Sequence, residues 1–336
     1  MITGAPSEAR WAAAGPRRTL PANILDRIVR TACPDGRVVE STPLAGGLRN
    51  SNFILRLGRV RSPVVLRIYE HDPALCPKEL DLMRMVRNSV PVPEIIHAEP
   101  RGFEDVPPFA LMQFIEGISL RELVRSGDAE AIAEAAYSAG EILARIGRHD
   151  FPKPGWISSG PAVTAPLVEG ANPAQRFIEL CLDSPNLAER VPAKTRDRIR
   201  EFVFSRSKEL SRIGEERRLV HGDFYRGNLL VRRVSCRWSV VGVLDWEFAV
   251  SGSPLADLGN FLRFERASHP LAEPHFSSGY AHAGGSLPGD WRRRARLTDL
   301  LALCEGLTRE QLPQDVAAEL VELMLATVED RDPAFR

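Results

Sequence analysis

The chain has 336 residues, 44% of them hydrophobic, with 44 basic and 44 acidic side chains and a formal net charge of zero. A chain of this length buries a large core and forms one or two domains, and its balanced charge argues against a generally basic nucleic-acid binder or an acidic tail. Cys33, Cys76, Cys181, Cys236 and Cys304 are scattered without a CxxC pair, so they read as reduced cytosolic thiols, not a disulfide frame or zinc site. No run reaches the roughly 18 to 20 apolar residues of a membrane span, so a soluble, cytoplasmic protein without a membrane partner is expected.

Residues 1–19 lack an apolar signal run and read as a flexible tail. A helix follows near Pro21 to Asn23, because Ile24, Leu25, Ile28 and Val29 recur at helical spacing. Residues 39–57 read as a strand, a glycine-rich turn and a returning strand. That turn holds Gly46, Gly47, Asn50, Ser51 and Asn52, whose small size lets backbone N–H groups approach phosphates; taken singly, Gly-Gly also reads as a plain tight turn.

A further strand spans 64–69 and carries Arg67, and a helical stretch over 78–86 has Glu79 near its start. Alone, Arg67 is a solvated strand residue and Glu79 an exposed helix charge. Residues 108–117 form an apolar stretch ending in glycine, 129–146 has the apolar spacing of a long helix, and a shorter helix near 175–181 lies between turn-rich segments.

Leu229 to Val231 and Val240 to Leu244 read as two short apolar strands. HGDFYRGN, His221 to Asn228, precedes the first and VLDWE, Val243 to Glu247, ends the second. In phosphoryl transfer one carboxylate receives the acceptor proton while an amide and a second carboxylate hold magnesium. The spacing fits Asp223 as base, with Asn228 and Asp245 as metal ligands. Taken separately, His-Gly-Asp is an ordinary turn and Asp245 a cap.

Jointly and in this order, HGDFYRGN and LDWE resemble the catalytic and metal motifs of the aminoglycoside phosphotransferase and choline kinase family. The resemblance covers roughly residues 40 to 310 and is strongest at 221 to 260. It implies an α+β, two-lobed, protein-kinase-like fold: a small nucleotide-binding lobe with an antiparallel sheet over 20–113, and a larger, mainly helical catalytic and acceptor lobe over 114–336. GGLRNSNF, with Gly46, Gly47, Asn50, Ser51 and Asn52, resembles the family's nucleotide-positioning loop. Arg67 stands where protein kinases place a phosphate-pairing lysine, with Glu79 as its counter-charge. Gln113, Phe114 and Ile115 resemble the hinge that meets the purine edge. The resemblance implies Mg2+ and ATP, with GTP left open. It also makes His221 a packing residue and Asp257 architectural, either as an N-cap or through a bond back to the catalytic loop.

Glu247 occupies the position of the protein-kinase glycine, only eleven residues separate Asp245 from Asp257, and no APE follows. The expected acceptor is therefore a small-molecule hydroxyl, not a peptide. The first reading is an aminoglycoside-phosphotransferase-like enzyme. A metabolic kinase of choline, an amino alcohol, an amino acid or a sugar is the alternative, and a non-catalytic nucleotide-binding regulator is the alternative of another class. Polycationic acceptors favour acidic walls, for which Glu247, Asp299 and Glu305 are candidates. Choline-like acceptors need an aromatic cage, for which Trp246, Tyr280 and Trp291 are candidates if folding brings them together. The run Arg292, Arg293, Arg294 with Arg296 points to an anionic acceptor or to a solvated helix face. His269, His275 and His282 offer a metal reading with uneven spacing.

Overall fold

Apolar residues three and four apart give the first helix, α1 (Ala22–Ala32), one buried face formed by Leu25, Ile28 and Val29. That face joins Phe53, Leu55, Leu57, Leu66, Ile68, Phe109 and Leu111 in one apolar cluster. The strands that follow are β1 (Val38–Pro43), β2 (Ser51–Leu57), β3 (Val64–Ile68), β4 (Ile95–Glu99) and β5 (Phe109–Gln113), with α2 (Leu75–Val86) between β3 and β4, and all but β4 contribute to the cluster. They form an antiparallel sheet in the order β1-β2-β3-β5-β4. In β2 alternate residues Phe53, Leu55 and Leu57 are buried, the period of a strand with one face on a core. Central β3 is buried on both faces, so a charge on it must find partners inside the protein.

This computed structural model describes residues 20–44, 50–58, 62–103, 105–266 and 272–329. The expected tail over 1–19, the turn glycines Gly46 and Gly47, and His269 lie outside the described residues. The chain divides into two units. The first comprises Met1–Gly117, Ser158–Pro161 and Val241–Glu247; the second comprises Ile118–Ile157, Ala162–Val240 and Phe248–Arg336.

The second unit opens with β6 (Ile118–Ser119), α3 (Leu120–Ser126) and α4 (Ala129–Ile146). Ser119 caps α3 by accepting from Glu122 N, and Asp128 caps α4 by accepting from Ala131 N. β7 (Gly155–Ser158) and β8 (Ala162–Ala165) follow, then α5 (Pro173–Asp183), α6 (Pro185–Arg190), α7 (Ala193–Ser205) and α8 (Ser207–Gly214). Next come β9 (Arg218–Val220), β10 (Leu229–Val234), β11 (Arg237–Val243), β12 (Val250–Gly252) and α9 (Leu255–Phe261). A 3₁₀ turn (Arg263–Arg266), α10 (Glu273–His282), α11 (Trp291–Thr308) and α12 (Gln314–Val328) complete the described chain. Two small sheets, β11-β10-β6 and β8-β7-β12-β9, frame the segments on either side of the HGDFYRGN motif.

α4 and α10 meet through glycine. A Cβ on Gly140 would lie 2.0 Å from Phe276 O, and one on Gly279 would lie 2.0 Å from Tyr137 O. The stretch from Gly279 to His282 completes α10, with Phe276 and Tyr280 buried. α11 begins at Trp291, with the arginine run in its first turn. Among the described residues no helix is long and apolar enough to cross a membrane.

Candidate active site

Arg67 lies on β3, facing Asn52 on β2 and Ala110 on β5 in register. The residue is 6% exposed, and its guanidinium sits among three carboxylates of the first unit. Nε lies 2.9 Å from Glu79 Oε2, Nη1 pairs with Asp245, and Nη2 lies 3.8 Å from Glu247 Oε2. Burial alone lowers the Arg67 pKa, but Asp245, Glu79, Tyr69 and Glu247 together raise it well above its ordinary value. Glu79 is filled from both sides, since Tyr69 OH donates to Oε2 at 2.7 Å and Trp246 N donates to Oε1 at 3.0 Å. The solvated-strand reading of Arg67 and the exposed-helix reading of Glu79 therefore fail. Each is buried against the other.

Asp245 follows β11 with φ +63°, a left-handed backbone that an aspartate adopts at some cost. Its side chain stays 35% exposed, so it is held by Arg67 while still reaching solvent. Glu247 closes the group. Its Oε2 accepts from Asn50 Nδ2 at 2.8 Å and its carbonyl accepts from Lys78 Nζ at 2.7 Å. Burial pushes the Lys78 ammonium down to about 8 against the pull of Glu247, Glu79 and Asp72. Asn50 Oδ1 and Arg67 Nη2 are buried without hydrogen-bond partners. Two cations, Arg67 and Lys78, thus face three carboxylates, Glu79, Asp245 and Glu247, an excess of one negative charge with an unmatched acceptor on Asn50.

Ser51 and Asn52 open β2, and Asn52 O accepts from Leu44 N at 2.8 Å. Gln113 ends β5, its N–H donating to Glu94 O at 2.8 Å, and Phe114 and Ile115 continue half-buried and without regular structure.

The HGDFYRGN turn belongs to the second unit. Gly222 has φ +80°, and a Cβ there would lie 2.3 Å from Phe248 O, so glycine is required. Asp257 Oδ2 accepts from His221 N at 2.7 Å and Oδ1 from Gly222 N at 2.9 Å. Of the two roles expected for Asp257, the bond back to the turn is the one observed, and Pro254 occupies the cap position of α9. Burial pushes the Asp257 carboxyl up to about 7, opposed by backbone bonds from His221, Gly222 and Phe224 and reinforced by the charge of Asp223. His221 is fully buried, and its Nδ1 accepts from Asp223 N at 3.2 Å. Asn228 Nδ2 donates to Asp223 Oδ2 at 2.9 Å and to Asp223 O at 3.0 Å. The candidate base and one candidate metal ligand are therefore fastened together, leaving the Asn228 amide oxygen as the group available to a cation.

The proposed acceptor wall is corrected by its own partners. Asp299 is fully buried in a two-point pair with Arg263, at 2.7 Å to Nη2, and Glu247 is buried in the first unit. Glu305 pairs with Arg309 one turn along α11. Trp246, Tyr280 and Trp291 are each at most 5% exposed and serve as core, not as an open cage. Arg292, Arg293 and Arg294 pair with Glu273, Glu209 and Glu216, and Arg296 donates to Leu262 O. Among the described residues no group of three or more His, Cys, Asp or Glu could hold a metal, so His275 and His282 form no such site. Magnesium needs less, taking one or two carboxylates plus substrate phosphates and water. The excess negative charge around Asp245 fits that sparse set. Tyr69 and Lys78 are site residues that the sequence reading passed over, and Trp246, read there as a cage candidate, instead serves through its backbone N–H on Glu79; the signal was their closeness in sequence to Arg67, Glu79 and Asp245.

The sequence profile of the phosphotransferase enzyme family (APH) matches residues 40–297. The chain belongs to this family. Its fold is α+β and protein-kinase-like, and it is similar to aminoglycoside phosphotransferase APH(4)-Ia in ternary complex with AMP-PNP and hygromycin B. The TM-score is 0.65 and the identity 18%, with 91% of this chain and 98% of that one covered. It is also similar to the GDP and kanamycin complex of APH(2")-IIia, with TM-score 0.66 and 17% identity over 91% and 99% of the two chains. Curated relatives include acyl-CoA dehydrogenase family member 11 of Homo sapiens, 26% identical over 200 residues, which are 59% of this chain and 23% of that protein. The Pongo abelii protein of the same name is 26% identical over 201 residues, with the same coverage of both chains. This phosphotransferase-family chain spans about a quarter of the length of these curated relatives.

Proposed function

We propose that the protein transfers the γ-phosphoryl group of ATP to a hydroxyl of a small molecule. The observation that carries this reading is the Asp223–Asn228 pair, a carboxylate fastened by an amide in a turn pinned by Asp257. Asp223 orients the acceptor hydroxyl and takes its proton as the oxygen attacks phosphorus. Asn228 holds that carboxylate in place through its amide N–H groups, and with Asp245 it would hold magnesium. Bound magnesium neutralises charge on the β- and γ-phosphate oxygens. Arg67, kept charged and oriented by Glu79, pairs the phosphates, and the segment Gly46 to Asn52 covers them. Gln113, Phe114 and Ile115 meet the purine edge.

ADP release with Mg2+ and ATP, scanned over acceptors with Asp223→Ala as control, tests this. The panel contains aminoglycosides, because APH(4)-Ia and APH(2")-IIia are known with hygromycin B and kanamycin. It also contains choline and other amino alcohols, sugars, and hydroxylated acyl-CoA esters, the last because of the name the curated relatives carry. Acceptor-dependent release lost in the variant supports the reading. Nucleotide binding with no Asp223-dependent turnover, even to water, would favour a non-catalytic nucleotide-binding regulator.

A further inference from the structure

Arg226 lies inside the HGDFYRGN turn, between Asp223 and Asn228, and its side chain is 8% exposed. Nη2 pairs with Glu265 Oε1, and the Glu265 side chain is 6% exposed. Glu265 Oε2 accepts from Ala272 N at 3.3 Å and from Glu273 N at 3.2 Å, the backbone amides at the start of α10. The Arg226 guanidinium also lies 5.5 Å over the Phe261 ring, which stacks on Phe276 of α10 at 4.0 Å and 13°. On the other side, Arg226 O accepts from Arg121 N at 3.0 Å. One side chain of the turn thus ties α9, the 3₁₀ turn and α10 to the residues that flank it.

A turn of eight residues has few constraints of its own. Here its backbone is held from one end by Asp257 and from the middle by Arg226. A charge pair this deeply buried has one low-energy arrangement, because breaking it strands a charge away from water. A catalytic group displaced by about 1 Å can lose about a hundredfold in rate.

We infer that Arg226 and Glu265 are positioning residues for phosphoryl transfer: their buried ion pair fixes the Asp223–Asn228 turn against the start of α10. The inference rests on the phosphotransferase reading above. It assigns the pair no contact with substrate and no part in nucleotide binding, whose candidate residues lie in the first unit.

The test uses the full chain as Arg226→Lys, Arg226→Met, Glu265→Gln and the double variant Arg226→Met/Glu265→Gln. Glu265→Gln keeps the size and an oxygen for the α10 amides, so it is the variant most suited to fold. Each protein is assayed well below its melting temperature for Mg2+-dependent ATP turnover, with water or the acceptor found above. Hydrogen exchange is followed over residues 221–228. We expect kcat to fall about 10- to 100-fold in Arg226→Met and Glu265→Gln with KM for ATP within about threefold. The double variant should lose less than the product of the two single losses, Arg226→Lys should recover part of the rate, and exchange should rise within 221–228. Wild-type turnover that is absent or independent of Asp223 overturns the phosphotransferase reading. Wild-type turnover matched by folded Glu265→Gln and Arg226→Met, or losses that multiply independently, overturns the positioning inference alone.

Discussion

The amide of Asn228 donates to the carboxylate of Asp223 at 2.9 Å and to its carbonyl at 3.0 Å, so two residues five apart form one closed unit. The bond constrains both side chains at once.

Replacing Asp223 with alanine should lower turnover by about 10²- to 10⁴-fold, the usual contribution of a general base. Nucleotide affinity should hold, because the candidate phosphate-pairing group Arg67 belongs to the first unit. Steady-state kinetics beside calorimetric nucleotide binding would separate the two, and near-normal turnover would remove Asp223 from the mechanism.

Asn228→Ala should lower turnover and also raise the magnesium concentration needed for half-maximal rate. A lower rate with an unchanged magnesium requirement would mean that Asn228 only steadies Asp223.

For Arg67, alanine removes the guanidinium that pairs the buried carboxylate of Glu79. Breaking such a buried pair costs roughly 3–5 kcal/mol. Lysine restores charge but cannot fork onto Glu79 and Asp245 together. Melting temperatures should therefore fall in the order wild type, Arg67→Lys, Arg67→Ala. A lysine variant as stable as wild type would show that charge, not fork geometry, is what the site needs.

The Asp257 carboxyl, pushed up to about 7 by burial, binds its proton more tightly folded than unfolded, where an aspartate has a pKa of about 4. Its contribution to stability is full below about pH 4 and is lost as pH rises towards about 7. The difference in melting temperature between wild type and Asp257→Asn should accordingly move against wild type over that window. A difference independent of pH would show that the three backbone bonds keep Asp257 ionised throughout.

Alanine at Gly140 or Gly279 would put a methyl 2.0 Å from a backbone oxygen of the partner helix. Overpacking of this kind costs about 1–3 kcal/mol. Gly289, with nothing within 4 Å of its position, is the control whose substitution should leave the melting temperature unchanged.

Much of the candidate site was legible because the proposed phosphoryl transfer would constrain residue type and spacing together: HGDFYRGN and LDWE place Asp223, Asn228 and Asp245 in order, and apolar periodicity places α1 and α4. What stayed hidden depends on partners remote in sequence. Glu247 reads as a substrate contact until Asn50, 197 residues away, is seen donating to it. Asp299 reads as an acidic wall until Arg263 encloses it. The arginine run looks like a cationic patch, yet each of its three members meets a glutamate from another segment. Short strands such as β7 and β12 were missed for a different reason. With four and three residues they are too brief for alternation to show.

The chain re-enters its first unit at Ser158–Pro161 and again at Val241–Glu247, the second time after Ala162–Val240 has belonged to the second unit. A recombinant fragment ending at Gly117 would carry Arg67, Lys78 and Glu79 but lack Asp245, Trp246 and Glu247, and with them two of the carboxylates that neutralise the buried cations. The first unit therefore cannot be excised by a single cut in the gene. Any chimera that exchanges it must graft the distant seven-residue segment as well, and an exchange made at one junction inherits mismatched charges at its centre.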